Sequence, residues 1–263
     1  EHWPMKFIIS ADTDIGISKN TNQDSICVQY AQTKLGHAVM ALVCDGMGGL
    51  SKGELASATV VKAFKQWFVT EFPGVLRKSP EGLDWKQLSQ RWEQIIKALN
   101  QKILEYAKDN HVEMGTTFTG ILIVKDEYMI VHVGDSRVYR INSSLTQLTE
   151  DHTVVNREVQ RGRISKAEAE DDPRRNVLLQ CVGASATVTP DILFGTVGGA
   201  CNYMLCSDGF RHEISEDEIY NELNPRISND KEAMTRNLRG LIETVKLRHE
   251  RDNVSAILIG ARE

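Results

Sequence analysis

The sequence predicts an α+β fold on three observations. Apolar or alternating runs of strand length recur through the chain, long stretches carry apolar residues at helical spacing, and the two kinds sit in separate blocks with no internal repeat, low-complexity tract or linker. In order, Phe7-Ile8-Ile9 opens as a strand, Ser25 to Tyr30 alternates, and Ala38 to Cys44 is a continuous apolar run ended by Asp45-Gly46, the pattern of a buried central strand. Ala56, Val60, Ala63, Phe64, Trp67 and Phe68 then recur at helical spacing, with Ser51 and Glu54 placed for a capping box. The stretch from Pro73 to Pro80 reads as a break. A second helix carries Trp85, Leu88, Trp92, Ile95, Ile96, Leu99 and Ile103 on one stripe, with its tryptophans in the core. Thr117 to Val124, Tyr128 to Val133 and Val138 to Ile141 read as an antiparallel meander joined by Lys125-Asp126-Glu127 and Gly134-Asp135-Ser136. Residues 150 to 176 turn polar and read as a solvated, mobile insertion. Strands resume at Asp191 to Val197 and Tyr203 to Cys206, Met234, Leu238, Leu241, Ile242 and Val245 mark a helix, and Val254 to Ile259 closes the chain.

Composition excludes several classes. With 263 residues, 41% hydrophobic and 25% charged, the chain is ordinary globular protein rather than disordered or fibrous. Its longest apolar run has seven residues, against roughly 18 for a membrane span. A net charge of −5 provides no global positive field for nucleic acid or an anionic membrane. Five cysteines, an odd number set in or beside apolar runs, read as buried thiols of a reducing cytoplasm, and Cys201 and Cys206 lack the neighbours of a zinc site. Glu1-His2-Trp3-Pro4 has no signal-peptide features, and the missing initiator Met reads as trimming.

Chemistry concentrates in aspartates that share one local grammar. Asp45 follows Leu42-Val43-Cys44, Asp208 follows Met204 to Ser207, Asp135 follows Ile130 to Gly134, and Asp24 and Asp252 precede strands. Any one such Asp reads most simply as a turn cap. Repetition at five strand ends favours a shared cation, because unpaired charges there are costly. An all-oxygen set with no clustered His or Cys suits Mg(II) or Mn(II). Two such ions roughly 3.5–4 Å apart lower the pKa of a shared water and supply hydroxide for in-line attack on phosphorus. No Gly-x-Ser-x-Gly, Walker-type or Cys-x5-Arg pattern competes, and the seven His residues are scattered.

The strings Asn22-Gln23-Asp24, Val43-Cys44-Asp45-Gly46-Met47-Gly48-Gly49, Gly115-Thr116-Thr117, Val133-Gly134-Asp135-Ser136-Arg137, Leu148 to Thr153, Cys206-Ser207-Asp208-Gly209 and Arg251 to Ser255, in this order, resemble the bacterial metal-dependent (type 2C, PPM) serine/threonine protein phosphatases. The resemblance spans nearly the whole chain and implies one phosphatase domain over residues 1–263. The implied fold is a four-layer αββα sandwich of two antiparallel β-sheets flanked by antiparallel helix pairs, with a mobile flap at about residues 150–176. Carried over by position, Asp45 bridges two metals and the Gly46 carbonyl binds one of them. Asp208 and Asp252 complete the other, Asp135 with Asp208 holds a third and weaker ion, Asp24 orients water from outside, and Asn253 holds its loop.

Three positions depart from the family pattern. Lys19 stands where a phosphate-binding Arg is usual, offering charge without a bidentate fork. Met47 replaces a proton-donating His of animal relatives, so a metal-held water is the expected acid. Gln23 replaces a metal-binding Glu, whose contact is left to water. The implied function is hydrolysis of phosphoserine and phosphothreonine on proteins that a serine/threonine kinase modifies, by a cytoplasmic monomer that binds neither nucleic acid nor membrane. The alternatives are a phosphoprotein-binding regulator with little activity and a domain in which the cation is purely structural.

Overall fold

The computed structural model describes residues 4–49 and 52–263. Its strands are β1 (Lys6–Asp14), β2 (Asp24–Thr33), β3 (Gly36–Gly48), β4 (Met114–Thr116), β5 (Phe118–Val124), β6 (Glu127–Val133), β7 (Arg137–Ile141), β8 (Leu145–Gln147), β9 (Asp191–Thr196), β10 (Cys201–Cys206) and β11 (Val254–Arg262). The helices are α1 (Lys52–Thr70), α2 (Phe72–Lys78), α3 (Trp85–Asp109), α4 (Val154–Gln160), α5 (Lys166–Asp171), α6 (Asp208–Arg211), α7 (Glu216–Leu223) and α8 (Lys231–Leu247). One sheet runs β1-β11-β10-β7-β8 and the other β2-β3-β5-β6-β9 with β4 added beside β3, every pairing antiparallel.

Side-chain alternation along the central strands builds the layers, because successive residues face opposite sides of a sheet. On β3, Val39, Ala41 and Val43 meet Ile257 and Ile259 of the other sheet, while Ala38, Met40, Leu42 and Cys44 face α1 and α3. On β11, Ala256 and Leu258 face α8 instead. The run from Ala38 to Cys44 is therefore apolar throughout because both of its faces are covered, and it is fully buried. The result is the four-layer αββα sandwich. Against the outer face of the β3 sheet, Trp92 of α3 meets Phe64 and Trp67 of α1 edge-on, with ring centroids 5.0 and 5.5 Å apart. Truncating such a side chain to Ala costs about 3–5 kcal/mol. Asp84 and Asp230 cap α3 and α8 by accepting from the amides of Gln87 and Ala233.

The expected meander needs revision, and two other expectations are refined. The meander ends after β6, and β7 joins the other sheet beside β10. Gly134 makes that crossing with φ +112°, where a Cβ would lie 2.6 Å from Thr117 Cγ2. The break expected over Pro73 to Pro80 does separate α1, which ends at Thr70, from α3, but most of it is taken up by α2, with Pro73 in the first turn, where its missing N–H is not needed. Residues 150–176, expected as a solvated insertion, are largely exposed or half-buried but carry α4 and α5, and Val155 and Glu158 of α4 are buried. The short helices α6 and α7 also went unread, although Ser215 and Glu218 form a capping box that marks α7. The expected Ser51–Glu54 box includes Ser51, which lies outside the described residues. All five cysteines are free and buried, with Cys201 and Cys206 on opposite faces of β10. No helix among the described residues is long and apolar enough to cross a membrane.

His132 on β6 gives the fold an acid-sensitive point. Its Nε2 lies 2.9 Å from the Glu150 carbonyl, which only accepts, so Nε2 carries the hydrogen and Nδ1 accepts from the Thr119 hydroxyl at 2.9 Å. Burial, reinforced by the neighbouring His152 ring, pushes its pKa down to about 4. An unfolded His takes its proton near 6.5, so this contribution is complete above pH 6.5 and is lost as pH falls toward 4, at most about 3 kcal/mol. In urea unfolding, His132→Gln should lose less stability than the parent between pH 6.5 and 4. Equal losses would remove His132 as the cause.

Candidate active site

The site begins where the apolar run of β3 ends. Asp45 stands opposite Asp24 in the β2–β3 register. Its amide donates to Thr117 Oγ1 at 2.9 Å and its carbonyl accepts from the Thr117 amide at 2.9 Å, which fixes the backbone below the carboxylate. The Gly46 amide donates to the Gln23 carbonyl at 3.1 Å. A Cβ on Gly46 would lie 2.0 Å from the Gly53 carbonyl oxygen, so only glycine lets α1 approach this loop so closely.

The second sheet supplies the other side. Asp208 opens α6 directly after β10, and Asp252 precedes β11. Asn253 pins the loop between β1 and β2 by accepting from the Gln23 amide at 3.0 Å and donating to the carbonyls of Ile15 and Thr21. Asp135 follows the Gly134 crossing and is buried. Carboxylate oxygens of Asp45, Asp135 and Asp208 lie within 4.8 Å of one another. Asp24 packs beside them, Oδ2 accepting from Ser255 Oγ at 2.6 Å.

So many carboxylates in one place oppose their own ionisation. Burial pushes the Asp24 pKa up to about 7, with the charges of Asp252 and Asp208 adding to it. Asp45 is raised by burial and then by Asp24, Asp208 and Asp252, and Asp135 by burial and then by Asp208. Asp252 is raised by burial and by Asp208. Asp24 Oδ1 and Asp208 Oδ1 are buried without a hydrogen-bond partner. Orphaned acceptors in an all-oxygen, like-charged set are what a hard divalent cation satisfies, so the residues fit the metals expected of them.

The residues singled out from sequence thus gather in one place, with Lys19 at the rim. Its Nζ is 4.0 Å from Asp252 Oδ1 and its side chain is about half exposed. Gln23 spends its amide on the Gly48 carbonyl at 3.2 Å, shaping the loop. Sequence reasoning gave no role to Thr117 and Ser255, although both lie inside motif strings. Arg211 was missed altogether: it donates to the Asp135 carbonyl at 3.0 Å, beside an Arg137–Asp151 pair whose Nε–Oδ1 and Nη2–Oδ2 distances are 2.9 and 2.6 Å. Its position one helical turn after Asp208 was the only available signal.

An antiparallel αββα sandwich with a carboxylate cluster at the ends of strands from both sheets defines a metal-dependent phosphoester hydrolase. Residues 17–246 match the family described as Protein phosphatase 2C. The chain is 30% identical over 254 residues to a putative protein phosphatase 2C-type from Streptococcus pyogenes, covering 95% of this chain and 96% of that protein. It superposes on the serine/threonine phosphatase Stp1 from Staphylococcus aureus with a TM-score of 0.82 at 29% identity, covering 100% and 98% of the two chains. The catalytic domain of the serine/threonine protein phosphatase PstP in complex with two manganese ions gives 0.76 at 28% identity, covering 98% and 100%. This chain belongs to the protein phosphatase 2C family. It is a metal-dependent hydrolase of phosphoserine and phosphothreonine on proteins.

Crowded charge makes a stability prediction. Asp45→Asn keeps the backbone clamp to Thr117 and removes one like charge, so with metal chelated its thermal midpoint should rise by a few degrees, given about 2–4 °C per kcal/mol at this size. Mn(II) should raise the midpoint of the parent and much less that of the variant. A chelated variant less stable than the parent would show that charge repulsion does not govern this centre.

Proposed function

We propose that this chain acts through two divalent ions, Mg(II) or Mn(II), held by Asp45, the Gly46 carbonyl, Asp208 and Asp252, with Asp135 and Asp208 offering a third and weaker site. The grouping of Asp45, Asp135 and Asp208 within 4.8 Å, with Asp24 and Asp252 close enough to act on them by charge and two orphaned, buried oxygens, carries this reading. The manganese-bound PstP domain of the same fold supports it. When bound, the ions supply Lewis-acid charge and an activated water for in-line displacement at phosphorus. The chain's own residues do the rest. Asp24, fixed by Ser255, presents its free Oδ1 to orient water, and Thr117 holds Asp45 in place. Met47 has no proton to give, so the leaving group takes its proton from water.

Lys19 fits a phosphate contact at the rim, drawn there by Asp252. The flap over residues 150–176 is proposed to meet the protein substrate and not the reacting phosphate. Arg174 and Arg175 spend hydrogen bonds within that segment, on Asp172 and the Glu170 carbonyl. The reading is completed by a single phosphatase domain over 1–263, working as a cytoplasmic monomer against a serine/threonine kinase.

The test is hydrolysis of a phosphothreonine peptide with Mn(II), with Mg(II) and with a chelator. Turnover should require the metal, and metal-independent turnover would overturn the mechanism. No turnover with either metal would favour the phosphoprotein-binding alternative. Because Lys19 is half exposed, Lys19→Ala should lower kcat/KM by about 10-fold at most, and Lys19→Arg should match or exceed the parent. An unchanged Lys19→Ala at low salt would leave phosphate to the metals alone.

A further inference from the structure

Next to the carboxylate centre lies an open cleft of about 590 Å³ that the chemistry above does not use. One wall is Met47, two residues beyond Asp45 on β3 and so on the same face of the strand. The other is the loop that carries Leu178, Leu179, Cys181, Ala184 and Ala186. The loop is built onto the site: Thr116 and Val182 exchange backbone hydrogen bonds at 2.9 Å, and β4 pairs Gly46 with Thr116 and Met47 with Gly115. A Cβ on Gly115 would stand 3.1 Å from Cys181 Sγ and 3.2 Å from Ala184 Cβ, so the absent side chain lets the loop close on the strand. From below, the buried Asn100 of α3 donates to the Ser185 carbonyl at 2.9 Å and accepts from the Gly183 amide at 2.7 Å.

Of the polar residues around the cleft, Gln180 and Ser185 are spent inside the protein, while Asn176 and Thr187 are exposed. Gln180 donates to the Thr189 carbonyl and accepts from the Thr189 amide, and Ser185 Oγ accepts from the Cys181 amide. Burial raises the Cys181 pKa, so its thiol stays neutral. Among the described residues, no charged side chain lines the cleft. A charged guest would therefore lose water without gaining a partner, whereas an aliphatic guest would lose nothing. Two strand residues, about 7 Å, separate Met47 from Asp45, which is the spacing between side chains two residues apart on one face of an extended peptide.

We propose that this cleft, which Met47 sets beside Asp45, holds an aliphatic side chain two residues from the phosphorylated residue of the substrate protein. The proposal rests on the protein phosphatase reading and adds a sequence preference to it: Leu, Ile, Val or Met two residues from the phosphoserine or phosphothreonine. The exposed Leu179 would cover the guest from above and Met47 would adapt to its shape.

The experiment compares phosphothreonine peptides identical except for Leu or Ser two residues from the phosphothreonine, on each side in separate pairs, with the Mn(II)-loaded enzyme. The parent should favour the Leu peptide by roughly 10-fold in kcat/KM. Ala186→Phe, which fills the cleft, and Leu179→Asp, which charges it, should bring that ratio below about threefold while the Ser peptide stays within about twofold of the parent. Both positions are exposed, so retained turnover of the Ser peptide also reports an intact fold. A parent ratio near one, or a ratio unchanged in both variants, overturns the proposal alone. Failure of the parent to hydrolyse either peptide overturns the phosphatase reading and this proposal with it.

Discussion

Mutual repulsion among buried carboxylates is the constraint around which this structure is organised. Asp24, Asp45, Asp135 and Asp252, each opposed by burial and by the neighbouring Asp208, cannot all stay ionised in a partly dry site without a countercharge. The fold nevertheless holds them together, because each is attached to something rigid. Asp45 rides on a strand covered on both faces, Asp208 starts a helix directly after β10, and the loop bearing Asp252 is pinned by Asn253. Packing energy in the layers keeps a strained charge distribution in place, and a divalent cation relieves it.

The sandwich is what allows the cluster to form. Asp24 and Asp45 come from one sheet, Asp208 and Asp252 from the ends of strands in the other, and Asp135 from the crossing between the two. Side chains from strands β3, β5 and β6 interdigitate with those of β10 and β11, fixing the two sheet edges relative to each other. Arg211 adds a local clamp by holding the Asp135 carbonyl from the helix that Asp208 begins. Geometry at the centre thus depends on contacts well outside it.

Local pattern carries far in this sequence where one physical cause acts alone. The seven-residue apolar run of β3 and the stripe of α3 each reflect burial, and both were legible. The strand-end aspartates were legible because a charge after a buried strand has few explanations. Gly134 misled, because a tight turn within one sheet and a crossing to another use the same residues. Pro73 marked the end of α1 but concealed α2, because a helix start tolerates what a helix interior does not. Arg211 had no pattern to announce it, since its role is set by a partner 76 residues away.

The account stands on the carboxylate cluster being a divalent-cation centre, and anomalous diffraction from crystals equilibrated with Mn(II) tests that most directly. The account predicts two strong manganese peaks among Asp45, the Gly46 carbonyl, Asp208 and Asp252, with any weaker third peak between Asp135 and Asp208. Saturating Mn(II) with no peak at these carboxylates, or peaks only elsewhere on the protein, would contradict it.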